Sequence, residues 1–356
     1  MNGERALSPA LRQWLATVAV SMFGLVGVGA WVRLEDAGLS MVRWEPVMGI
    51  LPPIDEAAWA SMYASYTHTP QYAVLRPSQD AFRLLFWPEY LHRVLGRLLF
   101  LGLAVPLAFP RVRAALGAMR ARRLGHVIAG IAFQGTVGWL MVASGLRDRP
   151  MVHPWMLAFH LAVATALLLL LTAELDAVRS RGAAPNRGHA LAAATFATLV
   201  FGALVAGLRA GVLYPTFPAF GGRWLPEEAF ACGGSACLVD GAFAHWLHRM
   251  LAYGVAFAIA ALLLPSVRAG GARRTWALRA YAHLALQVLL GALVVLSRVA
   301  APLAVAHQLN AVALVLTLAA LARREGMAPP RGARTRRVIV RRSSRSRAAS
   351  GGCTPP

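Results

Sequence analysis

Eight apolar stretches dominate the chain, each near the ~20 residues that a helix needs to cross a bilayer. They run from Trp14 to Trp31, Leu84 to Phe109, Leu124 to Ser144, Pro154 to Glu174, His189 to Ala210, Gly241 to Pro265, Trp276 to Ser297 and Pro302 to Ala322. Hydrocarbon offers backbone N–H and C=O groups no water to bond, so runs of this length specify helices. The expected fold is an all-α membrane protein with eight transmembrane helices. Composition excludes the soluble alternative. Only 14% of the 356 residues are charged and 58% are hydrophobic, whereas a soluble domain carries about 25% charged residues. The first stretch continues into Val32, Arg33 and Leu34 without a small-residue cleavage site, so it reads as a helix and not as a removable signal peptide.

The formal net charge is +21, and all 36 basic residues are arginine. Their placement matters more than their number. With the N-terminus inside, the segments on its side hold Arg5 and Arg12, the cluster from Arg111 to Arg123, Arg179, Arg181 and Arg187, Arg268, Arg273 and Arg274, and a run from Arg323 to Arg347. Acids on that side are few, and the opposite loops are close to neutral. The positive-inside rule then puts both termini in the cytoplasm. The charge is a topological signal and argues for no nucleic-acid partner; the partner it implies is the lipid bilayer. The tail after Ala322 is rich in Arg, Ser, Gly and Pro and is expected to be disordered.

Two parts of the chain resemble two others. Glu89-Tyr90-Leu91-His92-Arg93 aligns with His245-Trp246-Leu247-His248-Arg249, and the segment from Gln134 to Leu146 aligns with that from Gln287 to Val299. His160 then falls opposite His307. Three pairs in the same order imply two four-helix halves in parallel orientation. The expected division is a short N-terminus (1–13), a first half (14–174), a linker (175–188), a second half (189–322) and the tail (323–356).

The repeat turns scattered histidines into a pattern. His92, His160, His248 and His307 all lie on even-numbered helices, roughly 8 to 14 Å from their outer ends at about 1.5 Å per residue. Two imidazoles on facing helices can supply both axial ligands of a haem iron, so one paired-histidine haem site is expected in each half. His68, His126, His153 and His189 lie in loops or at helix ends, and His283 has no marked counterpart; surface or packing roles are expected for these. The halves differ at one place: Glu89 stands where the second half has His245. An intramembrane carboxylate is costly unless it is paired or functional. Arg93 and Arg97 could form an ion-paired ladder with it. Alternatively, Glu89 moves protons beside a group bound at His92. Arg93, Arg97 and Arg249 are candidates for binding haem propionates.

The segments GLSMVRWEPVMGILPP (38–53), FWPEYLHRVLGR (86–97) and GALVAGLRAGVLYPTFPAFGGRWLPE (202–227), with the His-Arg and His-Gln elements at His248 and His307, resemble the haem A synthase family over residues 14–322. The resemblance implies an oxidoreductase that converts the C8 methyl group of haem O to a formyl group by successive hydroxylations, giving haem A for terminal oxidases. It implies a substrate haem between His92 and His160, a haem B cofactor between His248 and His307, and Glu89 as the catalytic carboxylate. It also implies the cell inner membrane as location, with the haem sites in the outer half of the bilayer. The implied partners are a haem O synthase as substrate donor, an electron donor, oxidase assembly factors and further copies of the chain.

Some family members carry a cysteine pair in the first outer loop; none lies between Trp31 and Arg83 here. Cys232 and Cys237 instead fall in the third outer loop, where a loop-stabilising disulfide is expected. Cys353 lies in the tail and is expected to be a free thiol. The competing reading is a paired-histidine cytochrome b that only transfers electrons, for instance to or from quinone. A transporter with parallel repeats would explain the topology but not the histidines.

Overall fold

The computed structural model describes residues 6–43, 48–146, 150–176 and 186–325. Among them, eight helices are long and apolar enough to cross a membrane. They are α1 (Pro9–Leu34), α2 (Gln79–Ala108), α3 (Ala118–Gly145), α4 (Pro154–Leu175), α5 (Arg187–Gly207), α6 (Gly241–Leu262), α7 (Gly271–Leu296) and α8 (Ala301–Glu325). All eight apolar stretches are thus helical. Helices α1, α2 and α5 start before their apolar runs at a capping side chain, α6 is capped at the expected start, and α3 and α7 start early behind the glycines Gly117 and Gly270. Ser8 accepts from the Leu11 N–H, Ser78 from Ala81, Asn186 from His189 and Asp240 from Phe243, each satisfying an otherwise orphaned first-turn donor. At the other end, α5 stops at Gly207 and not at Ala210, because Arg209 takes a left-handed conformation with φ 53°. Of the expected N-terminal segment only 1–5 lies outside the described residues, since α1 already begins at Pro9; most of the expected linker (177–185) and disordered tail (326–356) lies outside them, as does Cys353.

Packing follows chain order. Helix α1 packs on α2, α2 on α3, α3 on α4, and α4 returns to α1; α5 to α8 close in the same way, with α8 returning to α5. Helices α1, α4, α5 and α8 form the seam between the two rings. Leu15, Met22, Leu103, Leu124, Leu168 and Leu171 fill the first core, and Leu191, Ile259, Leu263, Leu314, Leu318 and Leu321 the second. Large apolar side chains such as Val20, Leu84, Leu170 and Phe257 point outward and are exposed, as a lipid-facing surface requires.

At 30 residues, α2 is about 45 Å long, more than the ~30 Å of hydrocarbon. Its first turns project out of the bundle at the end opposite the arginine-rich one. There the loop between α1 and α2 folds two short helices against it, Glu56–Thr67 and Pro70–Leu75. Trp59 and Tyr66 of that loop bury Phe82 and Phe86 of α2, with Trp59 meeting Phe86 edge-on at 5.0 Å. The Tyr66 hydroxyl donates to Gln71 Oε1 (3.1 Å), and Gln71 Nε2 donates to the Asp36 carbonyl (2.9 Å). Burial pushes the Tyr66 phenol up to about 12. The apolar-run criterion missed both helices, which are too short to span and mix aromatic with polar residues. Over the second ring the third outer loop carries the expected disulfide between Cys232 and Cys237, with Cα atoms 5.1 Å apart.

The arginine-rich end is tied by carboxylates at the helix termini. Glu174 accepts from Arg123 Nε (2.8 Å), joining α4 to α3. Asp176, just past α4, accepts from Arg323 Nη2 (2.8 Å) and Arg324 Nη2 (2.6 Å) on α8. Burial alone would push the Asp176 carboxyl up, but hydrogen bonds from Arg324 and Arg323 outweigh it and hold the group below the usual range. A lowered native pKa means that the stabilisation is complete above the unfolded value of about 3.9 and is lost as pH falls through the native value. Asp176→Asn should therefore lower the unfolding temperature in detergent by a few degrees at pH 7. The deficit against the parent protein should shrink as the solution is taken below about pH 4; thermal unfolding followed by circular dichroism across that range checks it.

Candidate paired-histidine sites

The four histidines share one local geometry. His92 of α2 turns the Cε1 edge of its ring toward Gly29 of α1, where an added Cβ would stand 3.1 Å from Cε1. His160 of α4 faces Gly138 of α3 at 3.2 Å, His248 of α6 faces Gly202 of α5 at 2.9 Å, and His307 of α8 faces Gly291 of α7 at 3.0 Å. Each even-numbered helix thus lays its imidazole on the backbone of the helix before it, at a glycine. A methyl group there would push the ring away; the hydrogen of glycine lets it in. His92 and His160 lie on α2 and α4 of one ring, and His248 and His307 on α6 and α8 of the other.

The residue one turn before each glycine lies in the same neighbourhood: Leu25, Gln134, Thr198 and Gln287. His248 Nδ1 donates to the Thr198 carbonyl (3.1 Å). Gln287 Nε2 stands 3.2 and 3.3 Å from the two ring nitrogens of His307. Gln134 Nε2 donates instead to the backbone carbonyl of His160 (2.9 Å), and the Nδ1 atoms of His92 and His160 are buried without a partner.

Glu89 lies on α2 just before His92 and is 5% exposed. Pro88, directly before it, interrupts the backbone hydrogen bonds of α2. Arg93 Nε donates to Glu89 Oε1 (2.6 Å), while Arg93 Nη1 and Nη2 donate to the carbonyls of Arg43 (3.2 Å) and Met41 (3.1 Å). The guanidinium therefore clamps the first outer loop to α2. Arg97 follows one turn along and is partly buried. Arg249 Nη2 donates to the Pro218 carbonyl (2.7 Å) and the cation lies 4.1 Å from the Phe220 ring centroid, yet its buried Nε and Nη1 lack partners. His245, which the repeat sets against Glu89, is enclosed by Tyr214 and Phe220, with ring centroids 5.7 and 5.9 Å away.

Sequence reasoning placed the histidines but missed their seats. The signal was present as Gln134-x-x-x-Gly138 and Gln287-x-x-x-Gly291 inside the aligned repeat. His283, for which a surface or packing role was expected, meets Asn310 Oδ1 through its Nδ1 at 2.8 Å, and Asn310 Nδ2 donates to Gln287 Oε1 (2.7 Å).

A haem fits these residues. The macrocycle supplies four equatorial nitrogens, leaving the protein to bring two imidazoles. Among the described residues no group of three or more His, Cys, Asp or Glu side chains could hold a metal by itself. Unpartnered buried ring nitrogens and glycine cradles against every ring agree with an axial pair in each ring of helices.

Fold and side-chain placement together define a multi-pass membrane protein whose two helix rings each carry two glycine-seated histidines. The family model described as cytochrome oxidase assembly protein matches residues 12–319. A protein named heme A synthase from Rhodopseudomonas palustris (strain BisA53) is 39% identical over 336 residues, covering 90% of this chain and 92% of its own. Those of Sphingopyxis alaskensis and Caulobacter vibrioides are 37% and 35% identical, covering 91% and 87% of this chain and 97% and 94% of their own. The chain belongs to the heme A synthase family.

The seats can be tested without any bound group. Gly202→Ala sets a methyl 2.9 Å from His248 Cε1 and should destabilise the protein by about 1–3 kcal/mol through overpacking. Gly24→Ala on α1, where a Cβ meets nothing within 4 Å, should be neutral or stabilise by up to about 1 kcal/mol through helix propensity. Unfolding of the two variants in detergent checks the contrast.

Proposed function

We propose that this chain oxidises the C8 methyl group of haem O to a formyl group, giving haem A, as a multi-pass protein of a bacterial inner membrane with both termini in the cytoplasm. Support comes from the family and from one structural observation above all: each helix ring carries two glycine-seated histidines, and among the described residues only His92 has a buried carboxylate, Glu89, within one turn of it on its own helix. The substrate haem O is held between His92 and His160. His248 and His307 hold a haem B, which when bound supplies one-electron redox capacity within the membrane.

Converting methyl to formyl removes four electrons; the carbon gains one oxygen and loses two hydrogens. Successive hydroxylations followed by loss of water meet that balance, and each hydroxylation needs a group that moves protons near the carbon. Glu89 takes that role on the His92 side, with its carboxylate oriented by Arg93. The aromatic cap built from Trp59, Tyr66, Phe82 and Phe86 covers the outer turns of α2 and limits water there. Arg249, with two unpartnered buried N–H groups, suits a propionate carboxylate. Arg93 spends its guanidinium on Glu89 and the loop.

Glu89→Gln should leave haem O and haem B bound but lower haem A formation by about 100-fold or more, the scale of a lost proton-transfer group. Pigments extracted from the purified variant and identified by mass give the readout. Parental haem A yield would refute the role. Haem B filling both sites of the parent protein would instead identify a cytochrome b that only conducts electrons.

A further inference from the structure

The four histidines are seated alike but held differently. In the second ring, His248 Nδ1–H is committed to the Thr198 carbonyl at 3.1 Å. This leaves Nε2 with its lone pair, the form a metal-ligating imidazole needs, fixed in tautomer and direction. His307 is flanked by the Gln287 amide, and that amide is itself held. Asn310 Nδ2 donates to Gln287 Oε1 (2.7 Å) and to the His283 carbonyl (2.9 Å), while Asn310 Oδ1 meets His283 Nδ1 at 2.8 Å. Asn310 is 7% exposed. The chain from His283 through Asn310 and Gln287 to His307 joins α7 to α8 and restricts how the ring can turn.

The first ring has the same parts without the anchor. Gln134 occupies the place of Gln287, but the repeat puts Gly130 where the second ring has His283, and Val163 where it has Asn310. Gln134 Nε2 turns to the His160 carbonyl, its Oε1 is buried without a partner, and so are Nδ1 of His160 and Nδ1 of His92. Neither imidazole is held through its ring nitrogens.

We propose that this difference in anchoring makes the second ring retain its haem and lets the first exchange it, with Gln287 and Asn310 as the positioning residues of retention. The inference rests on the paired-histidine reading above and adds the physical reason for which site keeps its group. A prefixed ligand loses less orientational freedom on binding and is released more slowly; an unheld one binds the same iron with a smaller advantage. For an enzyme whose substrate and product are both haems, exchange at the first ring is what turnover requires.

The test uses the full-length protein purified in detergent and loaded with ferric haem B at both sites. Haem transfer to an excess of apomyoglobin is followed by absorbance. Two phases are expected in the parent, the slow one abolished by His248→Ala and the fast one by His92→Ala. Gln287→Leu and Asn310→Leu should each accelerate the slow phase about 10-fold or more, the usual scale for losing a ligand's outer hydrogen bond. The fast phase of the same molecules should be unchanged and serves as an internal control for folding. Gln134→Leu should leave the slow phase untouched. The low-spin ferric electron paramagnetic resonance signal of the slow site should shift in Gln287→Leu, because it reports imidazole orientation. A slow phase that belongs to His92, or one unchanged in both Gln287→Leu and Asn310→Leu, overturns the proposal. Absence of any two-imidazole spectrum in the parent would sink the haem-site reading itself, a different and distinguishable failure.

Discussion

Hydrocarbon gives an inward-facing polar atom no solvent to fall back on, and every arrangement in this bundle answers to that constraint. Most buried polar side chains meet it by bonding within the protein. Thr165 and Thr195 return their hydroxyls to carbonyls one turn back, and Glu174 and Asp176 are enclosed by arginines at the helix ends. Against that background, a buried polar atom without a partner is informative. Nδ1 of His92, of His160 and of His245, Gln134 Oε1 and two nitrogens of Arg249 are in that state around the four histidines, and Arg83 Nε and Glu325 Oε2 are in it at helix ends.

The glycine seats decide how close the helices of each pair can come. An imidazole resting on a backbone is oriented by a surface and not by a flexible side chain, so its position depends on helix packing. This makes the site a property of the surrounding helices: α1 presents Gly29 while packed against α2, α4 and α8. The outer cap adds to this, since Arg93 joins the loop carbonyls of Met41 and Arg43 to the same turn of α2 that carries Glu89 and His92.

Spanning helices were legible because hydrophobic length is a direct physical requirement, and the four histidines stood out as candidates because the aligned segments repeat them. The disulfide between Cys232 and Cys237 was legible from spacing and side of the membrane. The seats were not. Glycine is common in membrane helices, and nothing local to Gly29 separates it from Gly24 on the same helix, where a Cβ would meet open space. Only the neighbouring helix makes the distinction. The ion pair of Arg93 with Glu89 was legible from their i, i+4 spacing, but the loop carbonyls that Arg93 also reaches and the bond between Asn310 and Gln287 were hidden, since a polar residue in an apolar run states a need without naming what meets it.

Asp36 and Arg209 close the account of the seam. Each lies seven residues beyond a histidine seat, at Gly29 and Gly202, and each takes a left-handed conformation, with φ 56° and 53°. Each begins a short 3-10 turn, Ala37–Leu39 and Ala210–Val212. They bond to each other, and Arg33 joins them through Asp36 (3.4 Å) and the Ala206 carbonyl (2.6 Å). Two copies of a single half placed side by side would set aspartate against aspartate or arginine against arginine at this point, and both would repel. The junction is therefore complementary without being self-complementary: unlike halves satisfy it, and two identical ones would not.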